Sequence, residues 1–254
     1  MHLDAKDLTF IDEQDGGHAI SMELAAVTTN IDGQIQDSKI GAFDGYIRNE
    51  DLDQFRKEGI NFNLYLPVKR PGAYYVRVAL KDKASGKIGT AYQFLEIPDL
   101  KKKRLALSSI FVLNHREDVS EFRSEAVGQR GYGSDSVLER QETRKSPAIR
   151  SYLPGERFDY MVVAYNAKEK QAPDLETQFV LFKDDEEFVI GNILPVSTEG
   201  IDGFFGIPIT RRLLFEETME PGKYVLQVTV TDNQAKKKNG TASQAIDFEI
   251  QKKN

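Results

Sequence analysis

The chain has 254 residues, enough for one large or two ordinary domains. It contains no cysteine, which excludes disulfides, thiolate metal sites and cysteine nucleophiles. Its formal net charge is −6 with acidic and basic residues mixed throughout, which argues against nucleic acid as the main partner.

No apolar run approaches the roughly 20 residues that a membrane-spanning helix needs, so we expect no membrane-spanning segment. The N-terminal residues have no hydrophobic core of a signal peptide, so none is expected within this chain.

The first part of the chain has the pattern of an antiparallel β domain. Three strands are expected, at residues 19–27, 40–47 and 60–66. A turn is expected at 30–33. A short helix is expected before the third strand, with Asn49 as its N-cap, Leu52 and Phe55 on its apolar face, and Gly59 at its end.

A β-hairpin is predicted to close this domain. Its first strand follows a Pro-Gly turn and alternates apolar with polar residues, which is typical of a half-buried antiparallel strand. The apolar face holds Tyr74, Val76, Val78 and Leu80. The tip is expected at 82–87 and the return strand at 88–97.

A domain boundary is predicted after Pro98, because a basic run, Lys101–Arg104, follows it. The prediction is a first domain at 1–98, a linker at 99–104 and a second domain at 105–254. Strands of the second domain are expected at 105–113, 158–165, 176–182, 187–194 and 203–209. Residues 117–150 are polar and poor in β-branched residues, which predicts a mobile excursion that proteases cut first.

The second domain ends in the same pattern as the first. In both, Pro-Gly-x-Tyr is followed by an Asp eleven positions after the Pro, then by Gly-Thr-Ala, and finally by Glu-Ile. The second apolar face holds Tyr224, Leu226, Val228 and Val230. The repeat predicts equivalent core positions for Tyr74 and Tyr224, and superposable hairpins, with the second tip at 232–239.

The histidines, His2, His18 and His115, show no spacing typical of a metal site or of a general base, so solvated or packed rings are expected. A glycine-rich run at 128–134 lacks the strand and helix that flank a phosphate loop. It is predicted to be a loop.

Two acidic groups, Asp12-Glu13-Asp15 and residues 184–187, lack the spaced Asp pattern of a calcium loop. The second is predicted to be a charged hairpin turn, and calcium binding at an acidic loop stays open. The basic runs at 101–104 and 236–238 are expected to be solvated. Asn239-Gly240-Thr241 matches a glycosylation sequon, which matters only in a eukaryotic secretory setting.

The sequence therefore assigns no catalytic, cofactor-binding or metal-ligating residue, and we expect a protein that is not an enzyme and has no cofactor. A facing pair of carboxylates leaves no sequence signature, so a carboxylate-dependent hydrolase stays an alternative. A carbohydrate-binding module is another. The absence of Trp weakens it, and most of the Phe and Tyr residues are expected in the core.

Several segments together carry a resemblance: the run from Leu66 to Ala79, Gly89-Thr90-Ala91-Tyr92-Gln93-Phe94, Ile97-Pro98-Asp99-Leu100, Ser146-Pro147-Ala148-Ile149-Arg150, Pro154-Gly155, Tyr165-Asn166-Ala167 and Leu175-Glu176-Thr177-Gln178. They resemble the C-terminal region of the VWFA-related proteins of Acidobacteria. In that family an A-type domain with a D-x-S-x-S metal motif precedes this region. No such motif occurs here, so the family's metal site is not carried over to any residue.

The fold class expected is all-β, with two tandem β-sandwich domains of immunoglobulin or fibronectin-III type and at most short helices. The resemblance implies an exported, periplasmic or extracellular, non-enzymatic region downstream of an adhesion-type domain. The hypothesis is a structural or protein-interaction module whose partner is a protein. Its contact regions are expected at both hairpin tips and at residues 117–150.

Overall fold

The computed structural model describes residues 1–61, 64–113, 148–168, 172–199 and 206–253, and it is an all-β protein with one short α-helix. The predicted all-β, sandwich-like fold class is thereby confirmed, while the immunoglobulin or fibronectin-III type stays a prediction. Nearly all of the excursion predicted at 117–150, together with His115 and the glycine-rich run at 128–134, lies outside the described residues.

The first part of the chain forms one large sheet and a small one. The elements are β1 (His2–Leu3), β2 (Ile11–Asp12), β3 (His18–Asn30), β4 (Ile35–Ile47), α1 (Leu52–Glu58), β5 (Ile60–Asn61), β6 (Gly72–Asp82) and β7 (Ile88–Ile97). The large sheet has the order β4-β3-β6-β7, and β2 pairs with the start of β3. The small sheet pairs β1 with β5.

The rest of the chain forms two sheets. Their strands are β8 (Ala106–Leu107), β9 (Phe111–Leu113), β10 (Ser151–Tyr152), β11 (Arg157–Tyr165), β12 (Leu175–Lys183), β13 (Glu186–Ile190), β14 (Leu194–Pro195), β15 (Gly206–Leu214), β16 (Gly222–Asp232) and β17 (Thr241–Ile250). One sheet has the order β13-β12-β16-β17-β10, with β14 on β12. The other has β15-β11-β8, with β9 on β11.

The repeat extends beyond the terminal hairpins to four strands. We call β4-β3-β6-β7 the N-terminal frame and β13-β12-β16-β17 the C-terminal frame. All neighbours within each frame are antiparallel. Each frame also has one register shift, between Thr28 and Thr29 in β3 and between Leu181 and Phe182 in β12. These shifts are equivalent, because Thr28 pairs with Val76 and Leu181 pairs with Leu226 at the matching place in the repeat.

The two frames are covered differently. The C-terminal frame packs on the β15-β11-β8 sheet around a large core, where Phe248 stacks on Phe215 at 5.0 Å and on Tyr224 at 5.6 Å. The N-terminal frame has a smaller cluster of buried residues, to which helix α1 contributes Leu52. Within the described residues its cover consists of that helix, the N-terminal segment and β5.

Three predicted strands are shorter than expected or split, and the strand predicted at 203–209 is observed as β15, which reaches Leu214. Of the strand predicted at 60–66 the structure shows Ile60–Asn61, and residues 64–69, which include Pro67 with no N–H to donate, have no regular structure. The strand at 105–113 is split, because Ser108 Oγ accepts the N–H of Val163 and replaces the backbone in the ladder. The strand at 187–194 is split at Gly191, against which the Phe179 ring packs.

The helix ends as predicted but begins differently. The N–H of Gly59 donates to Phe55 O, and Gly59 has a φ of 67°. Asn49 is not the N-cap; it lies in a short 3-10 turn before the helix, and its side-chain oxygen lies 3.3 Å from His18 Nε2.

The hairpin ladders also correct one part of the repeat. Ala91 pairs with Val78, whereas Ala242 pairs with Val230, the equivalent of Leu80. The two Gly-Thr-Ala segments are therefore two positions out of structural register. The ladders close at Lys81–Ile88 and Thr231–Thr241, so the second tip is longer and contains a 3-10 turn at Lys237–Asn239.

The segment predicted as a linker, with the residue that follows it, is hydrogen-bonded to Asn166, just after β11, and to Asn239, before β17. Asn166 Nδ2 donates to the carbonyl oxygens of Leu100 at 2.9 Å and Arg104 at 3.2 Å. The N–H of Leu105 donates to Asn239 O at 3.0 Å. The buried residues form one cluster before this segment and one after it, and the predicted limits at 98 and 105 stay a prediction.

Candidate functional site

The two repeated tyrosines fix the turns that precede their strands. Tyr74 and Tyr224 are both buried, and each hydroxyl donates to the carbonyl oxygen four residues earlier, at 2.7 Å to Arg70 and 2.8 Å to Glu220. The glycines before them, Gly72 and Gly222, have φ of 148° and 149°, a conformation that residues with a side chain rarely adopt. Burial raises the pKa of Tyr224. These groups therefore serve the fold.

The repeated aspartates are the only carboxylates that the structure buries within its described ranges. Asp82 accepts hydrogen bonds from the N–H groups of Thr9 and Ala84 and from the hydroxyl of Ser85. Burial opposes ionisation of Asp82, but these donors outweigh it and hold the pKa of the carboxyl below its usual range.

Asp232 repeats this arrangement, because its carboxylate accepts the N–H groups of Lys168 at 2.7 Å and Gln234 at 2.9 Å. In each frame the aspartate thus joins its own hairpin tip to a segment distant in sequence. Both carboxylates are occupied by backbone donors, so their environment is that of structural groups.

Two of the three histidines lie in the described ranges. His18 Nδ1 lies 2.8 Å from Asp12 Oδ1 and its Nε2 lies near Asn49, so both ring nitrogens have partners. His2 Nδ1 lies 3.0 Å from Asn61 Oδ1. Among the described residues, no group of three or more His, Asp or Glu side chains is arranged to hold a metal ion.

The acidic groups form turns. Asp184 and Asp185, with φ of 52° and 65°, connect β12 to β13 as a two-residue hairpin turn, as predicted. Asp15 accepts the Tyr46 hydroxyl at 2.7 Å and the N–H of Gly17, and these bonds lower the pKa of Asp15.

The remaining candidate is a surface. We call the face of the N-terminal frame opposite its buried cluster the outer face. By the strand registers, Ile40, Ala25, Ala79 and Thr90 lie in one row across it, and Ala42, Glu23, Lys81 and Ile88 lie in the next. Small side chains form the floor, while Ile40 and Ile88 stand at the two edges. The exposed fractions of these isoleucines are 85% and 65%.

These rows enclose a shallow trough of about 510 Å³. Glu23 and Lys81 face each other beside it, with an N–O distance of 3.8 Å. The two opposite charges compensate each other, so this pair adds no net charge to the trough. It is thus a mainly apolar depression that opens to solvent.

An aromatic group continues the outer face along β7. Tyr92 has an exposed fraction of 76%, and Phe94 has 46%. Phe94 packs edge-on against Tyr75 at 5.4 Å, and the Arg77 guanidinium lies 5.8 Å from the Tyr75 ring centre. Tyr92 and Phe94 are thus exceptions to the prediction that most aromatic residues lie in the core.

The C-terminal frame shows that the architecture shared by the two frames does not require the exposed apolar residues of β7. The positions of Ile88, Thr90, Tyr92 and Phe94 in the N-terminal frame correspond by register to Thr241, Ser243, Ala245 and Asp247. The same strand of the same frame is therefore polar or small in one copy and largely apolar in the other. The exposed large apolar residues of the C-terminal frame are three residues of its other edge strand, β13, and Val225 of β16.

Sequence reasoning missed this surface although a signal was present. In β7 the large side chains of Ile88, Tyr92 and Phe94 recur at every second position and lie on the outer face by register, while Ala91 and Gln93 lie on the other face and are also exposed. The predicted tips at 82–87 and 232–239 are described. Besides the bonds of the aspartates, Lys83 lies 3.9 Å from Asp44, and Gln234 Nε2 donates to Ala172 O at 2.6 Å.

The comparisons with known proteins leave the family open. No family model matches the chain, and no curated protein matches it. A solved structure titled "AvmM Catalyzes Macrocyclization in Alchivemycin A Biosynthesis" is similar at 14% identity and a TM-score of 0.30. The match covers 41% of this chain and 85% of that one. Likeness at this level gives no argument about function. Within the described residues, no helix is both long and apolar enough to cross a membrane.

Proposed function

We propose that the chain is a non-catalytic protein-interaction module and that its contact surface is the outer face of the N-terminal frame. The observation that supports this most is the difference between the frames. Where the architecture is the same, the N-terminal frame exposes Ile88, Tyr92 and Phe94, and the C-terminal frame has Thr241, Ala245 and Asp247. Contiguous exposed apolar surface of this kind marks contact sites in soluble proteins.

The composition of the surface favours a protein as the partner. Tyr92 and Phe94 lie on the edge strand β7, Ile40 lies on the opposite edge strand, and the Glu23–Lys81 pair lies between them. In protein interfaces large aromatic side chains provide much of the binding energy.

A photo-crosslinking residue at position 92, compared with one at the equivalent position 245, tests the proposal. In the full chain, exposed to the proteins of its own source, we expect protein adducts from position 92 and few from position 245. Equal yields at the two positions, or no adduct from position 92, would contradict an outer-face contact.

The context we propose is that of an exported bacterial protein, periplasmic or extracellular, in which this region follows an adhesion-type domain. The support is the resemblance of the hairpin and linker segments to the VWFA-related proteins. The full open reading frame tests it: a signal peptide and an A-type domain upstream are expected, and a reading frame without them would contradict it.

Carbohydrate binding is the second candidate, and the exposed Tyr92 and Phe94 favour it. They lie two residues apart on one face of β7, and partly solvent-exposed aromatic rings can stack against sugars. Binding to a glycan array that is lost in Tyr92→Ala and kept in Tyr65→Ala would select this function over protein contact.

A further inference from the structure

β7 is an edge strand without the features that usually block pairing. Natural edge strands are short, bulged, charged or covered. β7 has 10 residues, continuous register with β6 and a single charged residue, Glu96. Every residue from 88 to 94 is exposed. No strand in the described part of the chain pairs with its outer edge.

The other edges of the two frames differ in this respect. β4 has Asp37, Lys39 and Asp44, and its pairing with β3 includes a bulge. β13 has only five residues, two of them Glu, and also a register shift. The outer edge of β17 is partly covered by β10, because the N–H of Glu249 donates to Arg150 O at 2.8 Å.

The register defines which backbone groups of β7 face outward. The N–H of Asp82 donates to Lys87 O, and antiparallel ladders alternate between inward and outward groups from there. The outward N–H and C=O groups therefore belong to Ile88, Thr90, Tyr92, Phe94 and Glu96. Of these, the Phe94 carbonyl oxygen accepts the Gln93 side-chain amide at 3.1 Å, a bond that pairing with another strand would replace. In β17 the equivalent of Glu96 is Glu249. The N–H of Glu249 points outward and donates to Arg150 O, next to β10, which agrees with this assignment.

We propose that β7 pairs antiparallel with β7 of a second copy of the chain, about a two-fold axis at Ala91. This inference rests on the proposed function, because it places a second copy at the β7 edge of the outer face. In this register Ile88 lies opposite Phe94 of the second copy and Thr90 lies opposite Tyr92 of the second copy. Each opposing pair exchanges two backbone hydrogen bonds.

A second copy suits the edge because the register is self-complementary. All the large side chains of the paired segment meet apolar groups or Thr, and Glu96 lies beyond the paired segment. Moving the axis to Tyr92 would place Glu96 opposite Ile88 of the second copy and bury a charge against an aliphatic side chain, which is unfavourable. The two outer faces would then form one continuous surface.

Charge substitutions at the axis test the pairing. Ala91 is exposed, so Ala91→Lys and Ala91→Glu are expected to fold, and each places two like charges opposite each other. In sedimentation equilibrium the unaltered chain is expected at twice 28.7 kDa. Each variant alone is expected at the monomer mass, and an equal mixture of the two is expected to recover the dimer. Ala245→Lys, on the equivalent edge of the C-terminal frame, is the control and should remain dimeric.

Two results would overturn the proposal. One is a monomeric unaltered chain at about 100 µM, where a contact of micromolar Kd is saturated. The other is a dimer that both Ala91 variants retain or that their mixture does not restore. If the chain is monomeric but position 92 still crosslinks to another protein, this inference fails while the proposed function stands. If position 92 gives no adduct and the chain is monomeric, both fail.

Discussion

The two four-stranded frames have the same strand order, the same bulge position and the same buried Tyr and Asp, yet their two faces differ. The C-terminal frame packs a full second sheet on its inner face and has a polar return strand, β17. The N-terminal frame has a smaller inner cover and an apolar return strand, β7. The shared elements thus define what the fold needs, and the differing ones indicate where function lies.

The largest expected effect tests whether the tyrosines are equivalent core residues. Tyr224→Ala should lower the free energy of unfolding by about 3–5 kcal/mol, as truncation of large core aromatics does. The loss for Tyr74→Ala should lie near the lower end of this range, because fewer buried residues cover the inner face of the N-terminal frame. Urea unfolding monitored by amide hydrogen exchange assigns each loss of stability to one of the two frames. Tyr65→Ala, at a tyrosine that is 70% exposed, is the control and should change little.

A second prediction tests whether the aspartates have the same role in both frames. Asp82→Asn and Asp232→Asn should each cost about 1.5–3 kcal/mol, because a charged acceptor of buried backbone N–H groups is lost. Chemical denaturation of each variant measures the loss. A cost in only one frame would show that the repeated Asp has separate roles. Hydrolysis of a glycoside, ester or peptide that either variant abolishes would contradict a structural role altogether.

The acid response of the N-terminal frame follows from the depressed pKa of Asp82. Because the folded-state pKa lies below the unfolded value of about 3.9, the carboxylate stabilises the fold at higher pH. That contribution is lost as pH falls through the folded-state pKa. The stability difference between the unaltered chain and Asp82→Asn should therefore shrink as pH falls below about 4. Denaturation titrations at several pH values measure it, and a constant difference would contradict the assignment.

A smaller effect is expected from the tyrosine hydroxyls. Tyr74→Phe and Tyr224→Phe each remove one hydrogen bond to a carbonyl and should cost about 1 kcal/mol, nearly equal in the two frames. Paired thermal denaturation curves measure this. A cost confined to Tyr224 would mean that only the C-terminal turn depends on the hydroxyl.

The sequence predicted most of the strands because hydrophobic alternation and Pro-Gly turns determine them locally. The return strands at 88–97 and 241–250 match the structure at both ends. The two Gly-Thr-Ala segments were wrongly predicted to be equivalent. They lie two positions out of register, because the second hairpin tip is longer than the first. The break at Ser108 depends on one side chain replacing a backbone acceptor, which alternation does not reveal.

The surface was harder to predict than the fold. Alternation predicts that one face of β7 is apolar, but it does not predict whether that face is buried. The answer depends on which strands pair with β6 and on what covers each face, and both are tertiary properties. Only the equivalence of β7 and β17 shows that Ile88 and Tyr92 exceed what the frame requires.

The most direct test of the central claim gives the N-terminal frame the residues of the C-terminal one. In Ile88→Thr/Tyr92→Ala, two exposed positions receive the residues found at 241 and 245. At a concentration too low for association, the free energy of unfolding should change by no more than about 1 kcal/mol, as for exposed sites. A loss of several kcal/mol would instead show that Ile88 and Tyr92 are needed for folding and would contradict a contact surface.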